Sequence, residues 1–470
     1  MTDARDLAFT PALDQAELVR TGVVSPVELV DVYLARIETL NPTINAYITV
    51  AGEYARAAAR AAERALGTRD EALPPFHGVP ISVKDLADTA GIVSTHGTAQ
   101  WRDRVPASDD EVVARLKGAG FVILGKTVVP EFGPLNVSEP PGYPPGRNPW
   151  DPSRSCGGSS GGAAAALAAG LCPVSHGSDG GGSIRNPAAW CGVFGIKPSR
   201  GRVSAAPAPP QLFAINGPLA RTVADGAALL DAMAGPATGD AWWAPPTTPF
   251  LDEARADPGR LRVAFHQHPG VERDATAPGC RQVVEDTAAL LEELGHTVFE
   301  REPPTFGPDM LAVTSIVFAA SHAAHEDVRP PLDTQDPWMK TLTELGRTVA
   351  ATDYINALET LQSRSRDAVA FFDDVDVFMC PTVAEPPPLV GALRDAGIEQ
   401  MPRFFAMTPF TALWNTTGQP AVSLPLALDD DGLPVGLQLV GRPADEATLV
   451  RLSAQLEQAR PWHDRRPPVS

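Results

Sequence analysis

Between Cys156 and Pro187 the chain reads CGGSSGGAAAALAAGLCPVSHGSDGGGSIRNP, and two glycine-serine loops in it offer the most chemistry. Gly157-Gly158-Ser159-Ser160-Gly161-Gly162 precedes an Ala-rich helical segment, Ala163 to Ala169. Gly180-Gly181-Gly182-Ser183 precedes a helical turn beginning at Ile184. Glycine lets backbone approach a ligand closely, and the unpaired N–H groups at a helix start face developing negative charge, so either loop can cradle a phosphate or an oxyanion. A tight turn with no ligand is the plain alternative. Neither loop carries the Gly-Lys-Ser/Thr ending or the G-x-G-x-x-G spacing of a nucleotide site, which argues against a phosphate cradle. Gly157 to Gly161 does match G-x-S-x-G, which would make Ser159 the nucleophile of an α/β-hydrolase-like esterase. The segment before it, Asn148 to Arg154, is not the buried strand that such an elbow requires.

The chain has only five lysines, Lys84, Lys117, Lys126, Lys197 and Lys340, so one placed beside reactive groups stands out. His77-Gly78-Val79-Pro80-Ile81-Ser82-Val83-Lys84-Asp85 puts Lys84 at the end of an apolar strand. Taken alone, such a lysine reads as a solvated strand end. If buried, its charged form is penalised, its pKa falls, and it becomes a base able to activate a serine. Asp179 and Arg185 flank the second loop, either shaping it or forming an ordinary surface ion pair. His176 reads as a packed or solvated histidine. Cys156 and Cys191, with no histidine close in sequence, read as small buried residues. Phe132 and Trp414 could line a substrate pocket or belong to the core.

The elements that must hold these residues follow from periodicity. Ser25-Pro26-Val27-Glu28 is a capping box with proline at the first helical position, opening a helix to Leu40 that Asn41-Pro42 should end. Short apolar strands at Val79 to Val83, Phe121 to Leu124 and Val193 to Ile196 alternate with helical patterns at Asp109 to Lys117 and Thr222 to Ala234, the signature of an α/β fold with a buried sheet. Helical periodicity dominates from Arg281 to Ala370, and strands return at Val375 to Met379, Ala421 to Leu426 and Val435 to Val440. We expect one domain over residues 1–470, with N-terminal helices over about 1–70 and a helical insertion over about 237–374. The net charge of −19 repels nucleic-acid backbone and anionic lipid. Five scattered cysteines suggest neither a zinc site nor a disulfide framework, and no apolar run approaches the length of a membrane span. The sequence therefore reads as a cytoplasmic protein with no nucleic-acid or membrane partner.

The segments GVPISVKD, CGGSSGG and SDGGGSIRNP together resemble the amidase signature family, whose members cleave amides with a Ser-Ser-Lys triad. The two serines stand 183 − 159 = 24 positions apart, the family spacing. Further matching segments run on: Gly195-Ile196-Lys197-Pro198, Gly201 to Ser204, Asn415 to Ala421, and Gly432 to Gln438. Arg147 to Trp150 and the ending from Pro461 are similar to the bacterial branch that holds 6-aminohexanoate cyclic-dimer hydrolases and aryl-acylamidases.

The resemblance implies a large twisted mixed β-sheet with α-helices on both faces. It makes Ser183 the nucleophile, Ser159 a bridging serine held by a cis peptide, and Lys84 the base. The backbone N–H groups of Gly180, Gly181, Gly182 and Ser183 would form the oxyanion hole, and Asp179, Arg185 and Ser160 would support the site. Such chemistry requires no metal or organic cofactor. The expected substrate is a small linear, cyclic or aryl amide or carbamate, and assembly as a homodimer is left open. The glutaminase-type subunit of a tRNA amidotransferase is the alternative setting for the same triad.

Overall fold

A computed structural model describes residues 4–66, 73–208, 212–268, 275–304, 308–393 and 398–470. Its frame is one mixed sheet of eleven strands: β1 Tyr47–Val50, β2 Pro80–Lys84, β3 Val122–Thr127, β4 Val174–Asp179, β5 Phe194–Lys197, β6 Ile215–Ala220, β7 Arg262–Phe265, β8 Thr297–Glu300, β9 Val377–Pro381, β10 Ala421–Leu428 and β11 Pro434–Gly441. The spatial order is β1-β3-β2-β4-β6-β5-β10-β11-β9-β7-β8. Strands β3, β2 and β4 are mutually parallel, as are β9, β7 and β8, and the pairings between these blocks are antiparallel.

Burial on both faces explains why the central strands read as continuous apolar runs rather than alternating ones. Along β3 the side chain of Ile123 enters one apolar core with the helices Glu111–Gly118 and Val223–Met233. Its neighbours Val122 and Leu124 enter a second core, with the helices Pro26–Ile44 and Gly161–Ala168. The expected layering, a mixed sheet between helices, is what the chain adopts.

Three boundaries differ from expectation. The capping box at Ser25 forms as expected, but the helix it opens continues through Pro42 to Ile44. A proline in the last turn removes a single backbone bond, and the helix ends only where Asn45 turns left-handed (φ 49°) and donates to Asn41 O at 2.7 Å. The N-terminal region is not helical throughout, because β1 lies between the helices Pro26–Ile44 and Gly52–Leu66; residues 1–3 and 67–70 lie outside the described residues. The segment 237–374, expected to be the more helical part, carries strands as well as helices. It supplies β7 and β8, which extend the same sheet beyond β9, although four residues each gave them too little periodicity to stand out.

Candidate active site

Strands β2 and β4 run parallel side by side, so their carboxyl ends lie at the same edge of the sheet, with Lys84 closing one and Asp179 the other. That edge is where open α/β sheets place their ligands. Alternation along β2 sends Ile81 and Val83 into an apolar core. Lys84 therefore points to the opposite face, toward the loop that starts the helix Gly161–Ala168.

There Lys84 is fully buried, not solvated. Its Nζ donates to Ser159 Oγ at 2.8 Å and to Ser178 O at 2.9 Å, and among the described residues no carboxylate lies within ion-pair distance of it. Burial disfavours the ammonium and, against the opposing charge of Asp179, lowers the Lys84 pKa from 10.5 to about 7. The Gly158–Ser159 peptide bond is cis.

Ser160 fastens the two loops together. Its hydroxyl donates to Ser178 O at 3.0 Å and accepts from Ser178 N–H at 3.2 Å, while its own N–H donates to Ser183 O at 3.0 Å. Ser183 is half-buried, and among the described residues its hydroxyl makes no hydrogen bond to protein. The loop bends sharply at Gly182 (φ 131°), where a Cβ would lie 2.4 Å from both Asn186 Nδ2 and Thr411 Oγ1. Only glycine fits there.

Asp179 and Arg185 are completely buried and bonded twice, Nε to Oδ2 and Nη2 to Oδ1, each at 2.9 Å. This is no surface pair. Asp179 also accepts from the N–H groups of Gly182 at 2.7 Å and Ile184 at 3.1 Å, and from Asn415 Nδ2 at 2.9 Å. Burial alone would raise the Asp179 carboxyl, but the Arg185 guanidinium outweighs it and holds the group well below the usual carboxylate range. Arg185 reaches onward to Thr411 O at 2.9 Å, Gln438 Oε1 at 2.7 Å and Asn415 Oδ1 at 2.6 Å.

The bond from Gly182 corrects the expected oxyanion hole. The Gly182 N–H is already committed to Asp179, whereas those of Gly180, Gly181 and Ser183 donate to no protein acceptor among the described residues. Three of the four expected N–H groups are therefore without a protein acceptor among the described residues.

A cleft of about 1280 Å³ opens over this edge. Ser159, Ser178 and Gly180 contribute to its wall together with Phe132 and Trp101; Ser183, three residues beyond Gly180, is not among the wall residues. Phe132 thus lies at the cleft. Trp414 does not. It is buried in an apolar cluster, its ring 6.0 Å from Phe372 and 5.8 Å from Phe378, because the short helix Ala412–Thr416 turns it away from the site and into the core beside β9.

His176 is buried and shares a 3.1 Å hydrogen bond with Asn216 Oδ1; burial pushes its pKa down to about 3, so it is neutral at physiological pH. Burial raises the thiols of Cys156 and Cys191 far above their ordinary range, which leaves neither as a thiolate. Two further buried lysines went unassigned in the sequence reading. Lys126 Nζ donates to Ala87 O and, at 3.1 Å, to Thr89 Oγ1; Lys197 Nζ donates to Gln419 O and, at 3.0 Å, to Pro198 O. The scarcity of lysine was the available signal for both. Among the described residues, no group of three or more His, Cys, Asp or Glu side chains is placed to hold a metal ion, and no helix is long and apolar enough to cross a membrane.

A buried lysine bonded to a serine and backbone N–H groups without protein acceptors thus lie together at the carboxyl edge of a mixed α/β sheet. Residues 28–450 match the family model described as Amidase, and the chain belongs to that family, the amidase signature enzymes. It is accordingly a hydrolase acting on amide carbon–nitrogen bonds. The 6-aminohexanoate-cyclic-dimer hydrolase of Pseudomonas sp. (strain NK87) is 36% identical to it over 97% of this chain and 96% of that protein. A solved structure of 6-aminohexanoate cyclic dimer hydrolase complexed with substrate superimposes with a TM-score of 0.91 at 34% identity, covering 98% of this chain and 99% of the other. A bacterial aryl acylamidase structure gives a TM-score of 0.88 at 26% identity, covering 97% of both chains.

Proposed function

We propose that the chain hydrolyses small amides through an acyl-enzyme on Ser183, with Ser159 as the proton bridge and Lys84 as the base. The observation that carries this reading is the 2.8 Å bond between buried Lys84 Nζ and Ser159 Oγ. A neutral amine there takes a proton from Ser159 as Ser159 takes one from Ser183, and the Ser183 alkoxide adds to the amide carbonyl. The free N–H groups of Gly180, Gly181 and Ser183 meet the oxyanion. On collapse, the carbon–nitrogen bond breaks and the proton held by Lys84 returns through Ser159 to the departing amine. Water then hydrolyses the ester by the same relay. Small linear, cyclic or aryl amides and carbamates fit this chemistry, and the names of the cyclic-dimer hydrolase and aryl acylamidase relatives support that range.

A second reading draws on the same bond: Ser159 touches Lys84 directly and lines the cleft, so Ser159 could itself attack as the nucleophile of a Ser-Lys pair. Fluorophosphonate labelling followed by peptide mass spectrometry decides between them. The adduct is expected on Ser183 and is lost in Ser183→Ala; an adduct on Ser159, with Ser183→Ala still active, would overturn the assignment.

A further inference from the structure

Four arginines are among the described residues lining the cleft, and two of them are engaged by protein acceptors. Arg104 is paired through both Nη atoms with Asp88. Arg200 gives Nε to Leu212 O at 2.9 Å and Nη2 to the carbonyls of Asn415 at 2.7 Å and Thr416 at 2.8 Å. Arg366 is a third case: it stands exposed on the helix Ala351–Ala370, where water rather than a buried wall surrounds it.

Arg329 is different. It is half-buried, the one hydrogen bond of its side chain among the described residues runs from Nη1 to His322 O at 3.3 Å, and no described carboxylate lies within ion-pair distance. Burial lowers its pKa to about 10, so part of its hydration is lost. Glu131 acts the other way, but the Glu131 carboxylate is engaged by Asp336 N–H.

The position of this cation ties it to the reacting groups. The guanidinium carbon lies 4.7 Å from the centre of the Phe132 ring. The next residue, Gly133, is so near Ser159 that a Cβ on it would come within 3.5 Å of the hydroxyl. A planar guanidinium offers paired donors that match a carboxylate, and one held over an aromatic ring in a partly desolvated wall gains most from such a ligand.

We propose that Arg329 receives a carboxylate of the substrate, so that the favoured substrates are amides carrying a free carboxylate on the part seated against Phe132. This rests on the acyl-enzyme reading for its chemistry but fails separately from it. A chain of net charge −19 attracts no anion at long range, since such fields are screened beyond about 8 Å at physiological salt; recognition is therefore local to Arg329.

The test is calorimetric binding to the full-length Ser183→Ala protein, using glutaryl-4-nitroanilide and N-benzoyl-4-aminobutyrate, each against its methyl ester. The acid of at least one pair should bind roughly 10- to 100-fold more tightly than its ester, the range of a charge-assisted hydrogen-bonded contact. The pair that shows the preference reports whether the carboxylate sits on the acyl or the amine side. Arg329→Met should bring that ratio to about one, and Arg329→Lys, which keeps the charge without the fork, should retain part of it. No preference in either pair, whether both members bind or neither does, overturns the inference, as does a preference that survives in Arg329→Met. Labelling of Ser183 in the wild-type protein reports on the mechanism independently of these results.

Discussion

Replacing Lys84 by Met tests the central proton acceptor through activity and stability together. In the folded chain the Lys84 pKa lies near 7, against 10.5 in water. In the proposed relay the neutral amine is the active form, so kcat/KM should fall on acidification, to about one-tenth of its plateau at pH 6, and level off above pH 8. The stability argument has a definite sign. Between pH 7 and 10.5 the unfolded chain binds a proton at Lys84 that the folded chain does not, so stability rises with pH across that window and is lower below it. The difference between 10.5 and about 7 corresponds to about 5 kcal/mol. Lys84→Met also removes the bonds to Ser159 and Ser178, but that loss does not vary with pH. Urea unfolding of both proteins at pH 6, 8 and 10 should therefore show the variant gaining on the wild type by several kcal/mol as pH falls. Its residual kcat/KM should lose the inflection near pH 7. An unchanged acidic limb in Lys84→Met, or a stability difference that is flat with pH, would refute the assignment of a depressed pKa to this lysine.

Three further outcomes follow from the same geometry. Arg185→Met leaves Asp179 buried without its partner and should cost about 3–5 kcal/mol in unfolding free energy, read by urea denaturation. Glu457, which accepts from Val223 N–H, is pushed up to about 7 by burial, so its contribution to stability is present below pH 4.5 and lost as pH rises through 7; Glu457→Gln should flatten that part of the stability profile. Since side chains and backbone fill every role in the proposed relay, activity should be unchanged after exhaustive treatment with a chelator, and loss that one added divalent ion restores would count against the relay.

The site was legible from sequence where a role demands a residue type at a fixed separation. Lys84, Ser159 and Ser183 stood out through the resemblance of their three motifs, taken together, to the amidase signature, whereas Lys84 alone read as a solvated strand end. The sheet was legible where strands are covered on both faces and read as unbroken apolar runs, as in β3 and β10. It was illegible in β7 and β8, whose exposed or half-buried ends resemble loop. Trp414 shows a different limit. Its neighbour Asn415 bonds to Asp179 at the site, while Trp414 itself points into the core, and adjacency in sequence does not reveal on which side of a short helix a ring emerges. The bond from Gly182 N–H to Asp179 was illegible for a similar reason, since which N–H a buried carboxylate claims depends on a loop conformation that glycine leaves open.

In the proposed relay, geometry and not burial alone singles out Lys84 from the three buried lysines. Burial lowers the pKa of Lys84, Lys126 and Lys197 alike, to about 7, to about 8 and well below the ordinary value respectively. A depressed pKa is necessary for a neutral amine, but a base also needs a proton to take. Lys197 donates only to the carbonyls of Pro198 and Gln419, which carry no proton. Lys126 meets one hydroxyl, that of Thr89, which is fully buried and does not line the cleft, so a proton moved there leads to no substrate. Lys84 also holds a carbonyl, Ser178 O, and this contact aims the amine so that its remaining partner, the Ser159 hydroxyl, lies on the cleft wall. If burial alone made the base, Lys126→Met would remove the acidic limb as completely as Lys84→Met. Lys126→Met should instead keep an inflection near pH 7 in kcat/KM, and loss of that inflection would move the base from Lys84 to Lys126.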